Sequence, residues 1–118
     1  MLEDRPILRR RLSLAATVIL GFAILWATLT PQTMPELELV PLDKVAHAAA
    51  FGLLILPTAW GYPRALAVTI PAALLLGGAI ELLQPLVGRG RELADFLMNV
   101  LGIGLGLLVG AGIRRTRA

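Results

Sequence analysis

Four apolar stretches, each close to the length of a membrane-crossing helix and separated by short polar segments, occupy most of the 118 residues. They lie at about 12–30, 45–61, 65–86 and 93–113. A helix that crosses the hydrocarbon core needs about 20 predominantly apolar residues, so four crossings consume a chain of this size. No room is left for a separate soluble domain. Charged residues make up 16% of the chain and hydrophobic ones 57%, whereas a soluble domain carries about 25% charged residues. The expectation is an all-α, integral membrane four-helix bundle forming a single domain over 1–118.

The punctuation between the stretches supports that division. Pro31, Pro35 and Pro41, interspersed with Glu36, Glu38 and Asp43, predict a polar loop after the first helix. Gly61-Tyr62-Pro63-Arg64 predicts a tight turn that makes the second and third helices antiparallel neighbours, and Val87 to Glu92 predicts a second polar loop. The first stretch follows Arg5, Arg9, Arg10 and Arg11, as the core of a signal peptide would. Such cores are only about 7–15 residues long and end in a small-x-small cleavage site, so this longer run, ending Ala27-Thr28-Leu29-Thr30-Pro31, is expected to stay attached as helix one.

The net charge of +3 comes largely from arginines that directly flank apolar runs, which marks them as topology signals and not as a nucleic-acid surface. Positively charged flanks stay cytoplasmic. Arg5, Arg9, Arg10, Arg11, Arg64, Arg114, Arg115 and Arg117 fall at the termini and the short turn, against Lys44, Arg89 and Arg91 on the other side. Both termini and the turn between helices two and three are therefore expected in the cytoplasm, and the two polar loops outside. Trp26, Trp60 and Tyr62 lie near helix ends, where aromatic side chains anchor at the interface. With no cysteine in the chain, disulfides, thiolate nucleophiles and sulfur-ligated metals are excluded.

That topology brings the ionisable groups to one depth. Helix two enters with Asp43, Lys44 and His47, helix three leaves past Glu81 and Gln84, and helix four enters with Asp95 and Asn99. Residues three or four apart share a helix face, so each helix offers one polar facet. An ionisable group near the bilayer centre costs at least roughly 2.5–3.5 kcal/mol, and such residues normally face the protein interior or water. Gly102, Gly106 and Gly110 recur below Asn99, and Ala73 and Gly77 share the face of Glu81. These small residues predict close packing of helices three and four, bringing Glu81 towards Asp95 and Asn99. A phosphate-binding glycine loop is not expected, because no strand precedes these glycines.

At these residues the sequence resembles the VanZ-like family of small bacterial membrane proteins. The family pattern is a proline closing helix one, D-K-x-x-H opening helix two, E-x-x-Q, a G-R loop, and D-x-x-x-N-x-x-G opening helix four. Here it is matched by Pro31, by Asp43, Lys44 and His47, by Glu81 and Gln84, by Gly88-Arg89, and by Asp95, Asn99 and Gly102. The chain departs from the pattern at Phe51, where relatives often carry tyrosine, and in having Arg91 as well as Arg89. The resemblance implies a multi-pass protein of the bacterial inner membrane with a role in the cell envelope. The founding member of the family is linked to low-level resistance to the glycopeptide teicoplanin.

Three classes of function fit the constellation. A binding factor would hold the head group of a membrane lipid or lipid-linked envelope precursor at an outer-leaflet site of Asp43, Lys44, His47, Glu81, Gln84, Arg89, Asp95 and Asn99. In that site Lys44 and Arg89 would clamp phosphate or carboxylate. An enzyme would use His47 with Glu81 or Asp95, since a carboxylate can orient imidazole for acid–base work. An accessory subunit would pack against other membrane proteins, its polar residues serving only as a buried network, with Glu81 paired to Arg89 and Asp95 capping helix four. The contact would run along a lipid-facing stripe on helix one or helix four, of which helix one, bearing no motif except Pro31, is the freer face. No cofactor is called for, and no metal site is expected from a single histidine without HExxH-like spacing. Transport is the least favoured role for a monomer, because no ionisable residue continues a path through the cytoplasmic half, a limit that an oligomer could lift.

Overall fold

The computed structural model describes residues 4–30, 42–87 and 93–117. These form four helices, α1 (Asp4–Leu29), α2 (Leu42–Gly61), α3 (Leu66–Leu83) and α4 (Leu93–Arg117), with short 3-10 turns at Pro63–Ala65 and Gln84–Val87. No strand occurs among the described residues. The helices outrun the apolar stretches at the arginine-bearing ends, α1 beginning at Asp4 and α4 continuing to Arg117. Hydropathy marks where lipid begins, whereas arginine is itself a good helix former and is favoured in a last helical turn by the macrodipole. α3 is shorter than its apolar stretch. Pro85 has no N–H to continue the α-helical ladder, and the chain tightens into the 3-10 turn there.

Three helical segments, Arg5–Leu29, Pro63–Leu86 and Leu93–Thr116, are long and apolar enough to cross a membrane. α2 has 20 residues but is diluted by Asp43, Lys44 and His47 at its start. It touches α1, α3 and α4, and α4 most extensively. A helix surrounded on several sides can carry polar groups that a lipid-facing helix cannot, because its neighbours replace water as hydrogen-bonding partners.

The polarity of the molecule is inverted relative to a soluble protein. Phe22, Trp26, Leu75, Leu86 and Leu108 are among many exposed large apolar side chains, while Ser13, His47, Thr58, Thr69, Glu81, Gln84, Asp95 and Asn99 are buried. A continuous apolar exterior of this kind is stable against lipid and not against water. The apolar core consists of Ile24, Phe51, Leu54, Ile55, Ala59, Ala73, Ile80 and Ile103.

α4 packs most extensively on α2, and glycine makes the contact possible. A Cβ built on Gly102 would lie 2.1 Å from the Ala48 carbonyl oxygen, one on Gly106 would lie 2.5 Å from the Gly52 oxygen, and one on Gly110 would lie 2.5 Å from the Ala59 Cβ. This corrects the expectation that the stripe on α4 faces α3. α2 offers its own small residues, Ala48, Gly52 and Ala59, so two small faces meet and the backbones approach closely. Gly77 of α3 is directed at Asn99 and the Phe51 ring, and not at the glycines of α4.

The remaining contacts set direction. Arg9 meets Gly61 while Thr17 and Gly21 meet Leu54, so α1 and α2 are antiparallel. Thr58 pairs with Thr69, and Gly77 lies by Phe51, so α2 and α3 are antiparallel as well. α4 runs parallel to α2. Arg9, Arg64 and Arg114 consequently lie towards one end of the bundle, and Lys44, Glu81 and Asp95 towards the other.

Replacing Gly102 with alanine is expected to destabilise the protein by about 1–3 kcal/mol through overpacking against backbone that has nowhere to move. Gly104→Ala meets nothing within 4 Å and should be neutral or stabilising by up to about 1 kcal/mol through helix propensity. Reversible unfolding of both variants in detergent micelles checks the pair, and equal effects would contradict the α2–α4 contact.

Candidate functional site

The small-residue contact between α2 and α4 sets the geometry of the polar end. With Ala48 seated against Gly102 and the two helices parallel, the preceding turns bring His47 against Asn99 and Lys44 against Asp95. His47 Nδ1 lies 2.9 Å from Asn99 Oδ1. On the other side of the ring, Nε2 lies 3.8 Å from Asp95 Oδ2, and Lys44 Nζ lies 3.6 Å from Asp95 Oδ1. The carboxylate of Asp95 thus stands between an imidazole and an ammonium group.

Burial makes these contacts matter. The side chains of His47 and Asp95 are each only 5% exposed, while that of Lys44 is 32% exposed. The lysine reaches from the buried cluster to its surroundings on a flexible stem. Taking a carboxylate out of water costs several kcal/mol unless partners compensate. Here Lys44 and His47 flank it, and its place in the first turn of α4 sets it near the positive end of the helix dipole. Asn99 can serve either imidazole tautomer, since its amide offers a carbonyl to an Nδ1–H and an N–H to a bare Nδ1. His47 can therefore present Nε2 towards Asp95 as donor or as acceptor.

α3 contributes Glu81, which is buried one turn beyond Gly77 on the same face. A Cβ on Gly77 would meet Asn99 Nδ2 at 3.0 Å and the Phe51 ring at 3.5 Å, so the missing side chain lets α3 settle over Asn99. Because α3 and α4 run antiparallel, the turn after Gly77 stands level with the turn before Asn99, at the height of Asp95. Phe51, 1% exposed, lies beneath the cluster.

Gln84, one turn beyond Glu81, also reaches a neighbouring helix. Its Nε2 donates to the carbonyl of Thr28 at 3.3 Å, tying the end of α3 to the end of α1. Two buried atoms, Gln84 Oε1 and Asn99 Nδ2, have no hydrogen-bond partner among the described residues. Arg89 and Arg91 lie outside the described residues, as do the two polar loops and the side chain of Asp43.

Other polar contacts run through the bundle where the sequence showed only isolated hydroxyls in apolar runs. Thr17 donates to the Leu54 carbonyl at 3.1 Å, and the Thr58 and Thr69 hydroxyls are 3.1 Å apart. Tyr62, expected as an interface anchor, also carries Arg10 over its ring at 5.2 Å.

A double-mutant cycle of His47→Ala and Asn99→Ala, read by unfolding in micelles, should give a coupling of about 0.6–1.7 kcal/mol, the range of hydrogen bonds inside membrane proteins. A coupling near zero would mean that the two side chains are not bonded.

The model of the VanZ/LLP1 family matches residues 9–114. No curated protein and no protein of solved structure matches the chain. The matched span runs from the arginines of α1 to the last turns of α4 and includes Asp43, Lys44, His47, Glu81, Gln84, Asp95, Asn99 and Gly102. The chain therefore belongs to the VanZ/LLP1 family.

Proposed function

We propose that this VanZ-like protein lies in the bacterial inner membrane and binds the polar head group of a lipid or lipid-linked cell-wall precursor at the end of the bundle formed by Lys44, His47, Glu81, Asp95 and Asn99. The observation that carries this is the convergence of a half-exposed cation on a buried acid–imidazole–amide array. Lys44 can meet a phosphate or carboxylate from outside while Asp95, flanked by the His47 ring that Asn99 holds, orients the ammonium. The sequence offers Arg89, between α3 and α4 along the chain, as a second cation. The unmatched Asn99 N–H and Gln84 oxygen leave a buried donor and acceptor for a polar ligand to satisfy. A family link to glycopeptide resistance agrees with a ligand from the cell envelope.

In this proposal all four helices cross the bilayer, with both termini and the turn between α2 and α3 in the cytoplasm. The 20 residues of α2 span about 30 Å, enough for the hydrocarbon core. The polar cluster then faces the outer leaflet. Because the native chain has no cysteine, single-cysteine variants report this directly. A membrane-impermeant thiol reagent on intact cells should label Glu38→Cys and spare Thr116→Cys, and the reverse pattern would overturn the orientation.

A second function, as an accessory transmembrane subunit with a purely structural cluster, draws support from α1, whose apolar window is only 11% buried within the chain. Native mass spectrometry of protein gently extracted from its own membrane separates the two. The head-group site predicts a specific lipid or precursor retained by the wild type and lost at least tenfold in folded Glu81→Gln and Lys44→Gln variants, as removal of a charge-assisted contact would give. Co-purification with a larger complex, unchanged by either substitution, would establish the accessory role instead. Turnover of the retained molecule that Glu81→Gln abolishes would extend the site to catalysis by His47 with Glu81 or Asp95.

A further inference from the structure

The end of the bundle opposite the polar cluster has a different chemistry. An open groove of about 450 Å³ lies between the first half of α1 and the last turns of α2, within the ~300–1,000 Å³ typical of small-molecule sites. Leu12, Ala16, Pro57 and Trp60 form an apolar floor, and Arg5 and Arg9 stand along it.

Arg9 is held in place. Its Nε–H donates to the Gly61 carbonyl at 3.3 Å, and its own carbonyl accepts from the Ser13 hydroxyl at 2.8 Å. Gly61 is what lets α1 approach this closely, since a Cβ there would lie 2.0 Å from Ser13 Oγ. The Nε contact uses one of the five guanidinium N–H donors, and the fork of remaining donors suits two phosphate oxygens at once.

Charge selects the occupant. Arg5, Arg9, Arg10, Arg11, Arg64, Arg114 and Arg115 gather towards this end, against Glu3 and Asp4 in the same part of the sequence. Leu8 and Leu12 beside the groove are 56% and 60% exposed on a helix apolar enough to cross a membrane, so the groove opens to lipid. We infer that this groove binds an anionic phospholipid of the arginine-side leaflet, its phosphate on Arg5 and Arg9 and an acyl chain along Leu12, Ala16, Pro57 and Trp60. This site is independent of the head-group site proposed at the other end.

Trp60 provides the readout. In a Trp26→Phe background, Trp60 is the single tryptophan, and the protein is reconstituted in vesicles containing equal fractions of brominated phosphatidylglycerol or brominated phosphatidylcholine. Quenching should favour the anionic lipid by roughly fivefold or more, the scale of one arginine–anionic-lipid contact. Arg9→Gln should remove most of that preference, while Arg11→Gln, which loses the same charge outside the groove, should retain it. Arg5→Gln leaves the Arg9–Gly61 contact in place and gives the same test where Arg9→Gln does not fold. Equal quenching by the two lipids would overturn the inference, as would equal losses in the Arg9 and Arg11 variants, which would reduce the effect to general attraction of a basic surface.

Discussion

The structure depends on the approach of two backbones. α2 and α4 come together where Gly102, Gly106 and Gly110 face Ala48, Gly52 and Ala59, at separations that would not admit one added carbon at Gly102. In lipid there is no hydrophobic force to drive helices together, so association rests on close van der Waals contact and on the polar groups such contact aligns. A small face against a small face also fixes register, because a slip would set a larger side chain against backbone. The polar cluster is the consequence: Lys44 and His47 meet Asp95 and Asn99 because Ala48 meets Gly102 one turn away.

The same packing explains why α2 can carry polar groups along its length. It begins with Asp43, Lys44 and His47 and carries Thr58 further along, groups that would be costly against acyl chains. Enclosure by the other three helices supplies Asn99 for His47 and Thr69 for Thr58. Pro57 and Pro71, which each remove a backbone donor from a helix, sit near the same hydroxyl contacts. α1 and α4 present many apolar side chains outward and turn Ser13 and Thr17, and Gly102, Gly106 and Gly110, towards α2.

The two ends of the bundle are chemically unlike. One holds an acid between a lysine and a histidine, largely buried, with an amide that can accommodate either imidazole tautomer. The other holds arginines beside an apolar groove, one of them locked to the end of α2 by a backbone carbonyl. The orientation proposed for the protein rests on this difference between the ends, through the tendency of basic flanks to stay cytoplasmic.

Much of this was legible along the chain. Apolar runs of membrane-crossing length located the four helices, and spacings of three and four residues placed Asp95 with Asn99 on one face and His47 one turn from Asp43. Which helix would receive the glycine stripe of α4 was not legible. Both α2 and α3 carry small residues, and the choice depends on complementary shape between faces distant in sequence. The partner of Gln84 was not legible for a similar reason, since a shared facet with Glu81 does not reveal that Thr28 offers a carbonyl at the neighbouring helix end. The sequence by itself determined the membrane character and the helices, because these follow from local hydropathy and breakers. It also determined the family, through motifs that survive as residue types. Only the tertiary structure decided the pairing of α2 with α4, the bonds to His47 and the groove at Arg9, because these are contacts between separate helices set by how their surfaces fit.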